Sequence, residues 1–260
     1  MRRATLLVQV GVLARRSVVR TLRQPAMVVP SLVFPLMLLS INASGLDSAT
    51  NLPGFPTDSY FQFALAIPFI QGALFSANSA GTNVANDIES GFLNRLALTP
   101  LRRIALMVGQ LAGILALGLI QAVTFVLIGV AFGDGIAAGV DGAVVIVALS
   151  LVISLAFGCI GAFVALRSGS GEAVQGVFPL FFAALFLSSM SLPRDLIETD
   201  WFRTVATWNP VSYMLEAIRS LVIDGWDGEA LALGFACAGG LALIAMLAAS
   251  AALRTRLVRT

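Results

Sequence analysis
Residues able to do chemistry are concentrated in two runs, the first being Asp87-Ile88-Glu89-Ser90-Gly91-Phe92-Leu93-Asn94-Arg95-Leu96-Ala97-Leu98-Thr99-Pro100. It places two carboxylates and a guanidinium close together in a chain of 260 residues that is only 12% charged. The second run is 193–229, which holds Asn209, Pro210, Tyr213, Glu216 and Arg219. Several chemistries are excluded at once. All 16 basic residues are arginine, and histidine is absent. Without lysine there is no phosphate-binding loop of the P-loop kind, so the chain is not an ATPase of that type. Without histidine there is no Ser-His-Asp triad and no His-based metal site. Ser168-Gly169-Ser170-Gly171 has no base near it and is dismissed as a hydrolase nucleophile. Cys159 and Cys237 fall in apolar stretches and read as small packing residues. The sequence therefore predicts no catalytic residue, no metal and no cofactor bound by this chain.

The first run must emerge from a membrane, because long hydrophobic segments flank it. Asp87 and Glu89 at its front and Arg95 near its end suit the dipole of a short helix. Phe92, Leu93 and Leu96 give that helix an apolar side at spacings of three and four. Thr99-Pro100 stops it, since proline cannot continue a helix and restricts the residue before it. A short amphipathic helix joined stiffly to a span at each end can pass a push from a partner into the membrane. The same residues also read as a solvated loop with a basic anchor.

Composition sets the elements around it. The chain is 58% hydrophobic, and a span needs about 20 apolar residues. The hydrophobic pattern predicts an all-α membrane protein, one permease domain over 1–260, with six spans between residues 27 and 253. They cover about 27–43, 60–83, 104–132, 143–166, 173–192 and 230–253. Residues 1–24 carry Arg2, Arg3, Arg15, Arg16, Arg20 and Arg23. At about 100° per residue, Arg2, Gln9, Arg16, Arg20 and Arg23 share one sector, which predicts a basic amphipathic helix lying on an anionic leaflet. A signal peptide ending near Ala43-Ser44-Gly45 is disfavoured by the length of the basic region and the spans that follow.

In the second span, Gln71, Asn78, Thr82 and Asn83 fall on one arc with Ser79 and Asn86. Polar groups in lipid need partners, so this stripe either makes interhelical hydrogen bonds or walls a substrate path. Gly109 and Gly113 in the third span form a Gly-x-x-x-Gly that permits close helix contact. Residues 193–229 read as two helical pieces broken at Trp208-Asn209-Pro210. The second piece places Glu216 and Arg219 as a pair at i, i+3. Trp201, Trp208 and Trp226 suit a membrane interface, and Gly225 suits a stop. With the amino terminus inside, 13 of the 16 arginines lie on inner segments and only Arg194, Arg203 and Arg219 outside. That asymmetry predicts both termini in the cytoplasm.

Asp-x-Glu-x-Gly-x-Leu-x-Arg-Leu-x-x-Thr-Pro, from Asp87 to Pro100, resembles the cytoplasmic signature of the type-2 ABC exporter permeases, typified by daunorubicin-resistance exporters. Asn209-Pro210-x-x-Tyr213-x-x-Glu216-x-x-Arg219 is similar to a second feature of that family, as is the Arg23-Gln24-Pro25 entry to the first span. The sequence departs from the family at Asn94, where many members carry an acidic residue. The resemblance implies that Asp87, Glu89, Gly91, Leu93, Arg95, Leu96, Thr99 and Pro100 form a coupling helix docked on a separate ABC ATPase. It implies that Asn209, Pro210, Tyr213, Glu216 and Arg219 belong to short re-entrant helices that close the pathway outside. ATP and magnesium would sit on two copies of the ATPase, and two permease chains, identical or not, would pair in the bacterial plasma membrane. The family expectation is alternating access that exports an amphipathic drug or lipid-like substrate, with lipid-linked glycan as the alternative cargo. A secondary transporter is disfavoured, because no Asp or Glu lies inside a predicted span. An intramembrane enzyme has almost no residues to use, and a scaffold stays open on composition.

Overall fold
The computed structural model describes residues 5–97, 103–133 and 135–259, and all regular structure among them is helical. The predicted site residues Thr99 and Pro100 lie outside that set, as does Asp134 of one predicted outer turn. Eleven α-helices follow in chain order: α1 Leu6–Leu22, α2 Pro25–Gly45, α3 Tyr60–Ala64, α4 Ala66–Glu89, α5 Phe92–Ala97 and α6 Arg103–Phe132, then α7 Gly139–Ser168, α8 Gly171–Phe186, α9 Asp200–Trp208, α10 Pro210–Arg219 and α11 Gly228–Arg259. Five are long and apolar enough to cross a membrane: α2, the α3–α4 pair, α6, α7 and α11. The expected fifth span, 173–192, is shorter than predicted, because α8 ends at Phe186 after 16 residues. Leu187–Ser191 turn instead, and the Ser188 hydroxyl donates back to the Leu185 carbonyl.

The centre of the bundle is α4. Of its apolar stretch 83% is buried, against 17% for α2 and 22% for α11. Small residues explain why α4 can be surrounded. A Cβ on Gly161 of α7 would lie 1.9 Å from the carbonyl oxygen of Ala77, and one on Gly81 would lie 2.8 Å from the carbonyl of Gly161. The backbones of α4 and α7 thus touch along a Gly/Ala seam, where dispersion and close approach replace a hydrophobic drive that lipid cannot supply. α2 keeps Val29, Val33, Met37 and Ile41 exposed, one residue per turn.

Two expectations change near residue 90. The second span does not end at Asn83: α4 continues to Glu89, so Asp87 and Glu89 form its last turn instead of opening a separate helix. The chain then breaks at Ser90 and Gly91, where Gly91 takes φ +66°, a left-handed conformation that glycine adopts without a Cβ penalty. Among the described residues, the part of the predicted helix beyond the break is α5, six residues. The dipole argument therefore inverts, since two carboxylates at a helix C-terminus are disfavoured unless something offsets them.

The predicted amino-terminal helix is α1, and its arginine side has partners within the chain. Arg16 and Arg20 of α1 turn inward, while Leu7, Val8 and Val12 are exposed. The Gly109/Gly113 notch of α6 is occupied by α1: a Cβ on Gly109 would lie 2.6 Å from the Leu13 Cβ, and one on Gly113 would lie 2.3 Å from the Ser17 Oγ.

Candidate functional site
Asp87 is the offset charge at the end of α4. Its side chain is 10% exposed, and three donors from α1 reach it. Arg16 donates from Nη2 to Oδ1 at 2.9 Å and from Nη1 to Oδ2 at 3.3 Å, and Arg20 donates from Nη1 to Oδ1 at 2.7 Å. The Arg16 guanidinium also lies over the Phe92 ring, 3.9 Å from its centroid. Charge-assisted bonds of this kind are about twice as strong as neutral ones, which answers the unfavourable dipole. Glu89 answers it differently: it is exposed, and its Oε1 accepts from the Gly171 N–H at 3.4 Å, at the positive end of α8.

The remaining predicted coupling residues divide by exposure. Leu93 is 4% exposed and packs with Val84, Ala165, Leu166, Val174 and Leu253, so it pins α5 to its own chain. Arg95 is exposed, and its Nη2 donates to the Ser90 carbonyl at 3.1 Å. Gly91 has open space around its Cβ position, so its backbone conformation and not crowding demands glycine. Leu96 lies on α5.

The polar stripe of α4 separates into two groups. Gln71, Asn78 and Thr82 share the sector of Phe75 on a helix of about 100° per residue, and the Phe75 ring meets Phe34 of α2 and Phe178 of α8. Asn83 instead lines a cavity of about 50 Å³ beneath Asp87, together with Ser17, Thr21, Ser76 and Gln110. The Gln71 Oε1, Asn78 Oδ1, Thr82 Oγ1 and Asn83 Oδ1 atoms are buried without a hydrogen-bond partner among the described residues. One interhelical bond does form, from Ser76 Oγ to Gln121 Oε1 at 3.1 Å.

At the other end of α4 the predicted gate residues are drawn together. Pro210 is the first residue of α10, where its missing N–H costs nothing. Asn209 caps that helix by accepting from the Val211 N–H at 3.0 Å, and its amide donates to the carbonyls of Ala184 on α8 and of Leu187 just beyond its end. Tyr213 donates to the Thr207 carbonyl at 2.9 Å. Glu216 does not pair with Arg219 as the spacing predicts; it accepts from Arg194 at 2.6 Å and from Ser189 Oγ at 3.0 Å. Arg219 turns the other way, donating to the carbonyls of Phe63 at 3.0 Å, Ser189 at 2.6 Å and Met190, with its guanidinium 3.6 Å from the Phe63 ring centroid. Burial lowers its pKa to about 9, with Glu216 and Tyr60 acting against that, so it is charged at neutral pH.

Tyr213, Glu216 and Arg219 line an open cavity of about 520 Å³ with Arg194, Arg203 and Asp224. Sequence patterning missed Arg194, because nothing in spacing places a turn residue opposite Glu216, 22 positions away. It missed Arg16 and Arg20 as partners of Asp87 for the same reason.

The chain matches the ABC-2 type transporter family over residues 8–223. It belongs to that family. This permease is thus a membrane transport subunit of an ABC transporter, and membrane lipid and an ABC ATPase are its partners. It is similar to "Putative transport permease ycf38" of Cyanophora paradoxa, 26% identical over 212 residues, which is 81% of this chain and 72% of that protein. The match includes both the Asp87 end and the Arg219 end, so both lie in the shared part of the fold.

Proposed function
We propose that this permease is the membrane-spanning half of an ATP-driven exporter, taking an amphipathic drug or lipid-like substrate out of the cytoplasm by alternating access. In this reading α5 and the Asp87 end face the cytoplasm and dock on the ATPase. Both termini are cytoplasmic, in a bacterial inner membrane, and α8 completes a sixth crossing. The observation that supports it best is the break at Gly91. It leaves a short helix, with Arg95 exposed and Leu93 buried against the chain, at the end of the most buried span, so a displacement of α5 acts on the centre of the bundle.

The permease works as a pair of chains. The support is the poorly buried α2, which exposes Val29, Val33, Met37 and Ile41 while its Phe34 meets Phe75 in the α4 sector that carries Gln71, Asn78 and Thr82. Those three residues would wall the substrate path in the paired form, and the 520 Å³ cavity around Glu216 would be the exit. ATP and magnesium are held by the ATPase subunits, and this chain alone hydrolyses no ATP.

The test is reconstitution with the cognate ATPase in liposomes. ATP-dependent movement of a fluorescent amphiphile from the ATPase side supports export, with two copies of each subunit in the purified complex. Movement towards the ATPase side, or a complex that forms without ATP-dependent movement of any amphiphile in a panel, overturns it. A panel in which only polyprenyl-linked sugars move would favour the lipid-linked glycan reading.

A further inference from the structure
The face of α1 that grips Asp87 is also the face seated on α6. Leu13 and Ser17 meet Gly109 and Gly113 so closely that neither glycine could carry a side chain without displacement. Arg16 and Arg20 lie on the same side of α1 and reach the last turn of α4, and Phe92, the first residue of α5, lies against Arg16. One helix therefore holds three parts: the shaft of α6, the end of α4 and the start of α5.

Two details distinguish this from an anchor. A helix anchored by charge alone would spend all its arginines on lipid phosphates; here Arg16 and Arg20 are spent on a carboxylate of the same chain, while Arg15 and Arg23 stay exposed beside the apolar Leu7, Val8 and Val12. Both guanidiniums also share one oxygen, Asp87 Oδ1, at 2.9 and 2.7 Å. A carboxylate held by two arms can keep one while the other shifts, as a joint requires. The 50 Å³ cavity beneath has mixed walls in which Ser17, Thr21, Ser76, Gln110 and the buried, unpartnered Asn83 Oδ1 offer polar partners among apolar side chains, and it has space for a few waters, which can re-pair groups as the joint moves.

We propose that Arg16 and Arg20 are positioning residues of the coupling machinery: they fasten α1 and α6, as one body, to the coupling segment, so that displacement of α5 reaches α6 through α1. The inference rests on the reading of α5 as the ATPase-docking element.

The test uses the full complex of permease and cognate ATPase in liposomes, in a chain carrying Cys159→Ala, Cys237→Ala and a reporter Thr207→Cys at the gate cavity. The readout is the rate of labelling by a membrane-impermeant maleimide, with and without ATP, magnesium and vanadate. Without further changes the trapped state should alter that rate by about fivefold or more, the lower end of the usual range for coupled sites. Arg16→Gln with Arg20→Gln should keep ATPase co-purification and abolish the ATP-dependent change, while Arg16→Lys with Arg20→Lys should retain part of it. If the glutamine pair fails to insert, the triple change that adds Asp87→Asn, which leaves no unpaired charge, must show the same loss. A disulfide between Ser17→Cys and Gly113→Cys, whose Cβ positions lie 3.3 Å apart, should leave the ATP-dependent change intact, because α1 and α6 move together.

A glutamine pair that responds to ATP like the parent overturns the proposal, and so does a cross-link that blocks the response. Loss of ATPase binding in the glutamine pair also overturns it, since the arginines would then only shape the docking surface. If the parent complex itself binds no ATPase or shows no ATP response, the functional reading falls and takes this inference with it.

Discussion
Two buried charges mark the ends of α4, about 36 Å apart along a helix that rises 1.5 Å per residue, and they are held by opposite means. Arg219 is 6% exposed and is held by three backbone carbonyls and a ring face, none of which can leave without unfolding something. Asp87 is held by two side chains, Arg16 and Arg20, that are 41% and 23% exposed. A charge met by backbone is fixed in place. A charge met by long, partly solvated side chains can be released and caught again, because water offers both partners a substitute. The Arg219 end is built as a staple and the Asp87 end as a joint, and the predictions separate the two.

Arg219→Met carries the largest expected effect. It leaves three carbonyls of Phe63, Ser189 and Met190 without their donor, and unsatisfied buried groups cost about 1–3 kcal/mol each. The expected loss is about 3 kcal/mol or more, seen as a large drop in Tm in detergent and poor insertion. Arg219→Lys should recover little, since one ammonium cannot copy the planar fork. A normal Tm for Arg219→Met would mean that the staple is not one.

Asp87→Asn comes next. It removes the charge that both arginines meet, but each can turn to water, so the stability cost should stay near 1–2 kcal/mol, below the full penalty for breaking a buried pair. The larger consequence should be a fall in ATP-dependent gate accessibility, measured by cysteine labelling. If Asp87→Asn costs as much stability as Arg219→Met, the two ends are alike and the distinction fails.

The sequence carried more of the fold than of the contacts. Hydropathy placed α2, α6, α7 and α11 within a few residues, because spans are long and their signal sums over many positions. Gly109 and Gly113 were legible as a contact notch, though not that α1 would fill it. The break at residue 90 was not legible. Asp87 and Glu89 look like the start of a helix by charge, and only the tertiary partners Arg16, Arg20 and Gly171 make them tolerable at the end of one. Glu216 and Arg219 satisfy an i, i+3 rule, but the pull of Arg194 on one and of three carbonyls on the other outweighs a helix-surface pair worth a few tenths of a kcal/mol. In both cases local spacing lost to partners distant in sequence, and single-chain periodicity cannot see those.

Gly91→Ala tests whether the break itself matters to the joint. The site is open, so no clash arises, and the cost is the left-handed backbone at φ +66°, about 1 kcal/mol. The expected outcome is a modest Tm loss with a changed angle between α4 and α5. Reduced ATPase affinity in pull-down, without loss of the fold, should follow. Unchanged affinity would show that α5 docks by its side chains regardless of how it leaves α4.

The smallest expected effect belongs to Glu89, and it discriminates between two ideas of what that residue does. If Glu89 serves chiefly the end of α8, its carboxylate answers the helix dipole and the Gly171 N–H at 3.4 Å. That is a long, exposed contact, so its loss should cost about 0.5 kcal/mol or less, the ordinary range for surface substitutions. Glu89→Gln keeps an acceptor for the N–H and should then behave almost as the parent in Tm, ATPase binding and transport. Glu89→Arg places a cation at the positive end of α8 and should lower Tm slightly while leaving ATPase binding intact. If Glu89 instead meets a basic group on the ATPase, the order of readouts reverses. Glu89→Arg then sets like charges against each other across an interface, where the cost can reach several kcal/mol, and the complex is lost while Tm holds. Measuring Tm and co-purification on the same two variants decides the matter. An intact complex with a small Tm drop assigns Glu89 to the joint, and a lost complex at unchanged Tm assigns it to the docking surface.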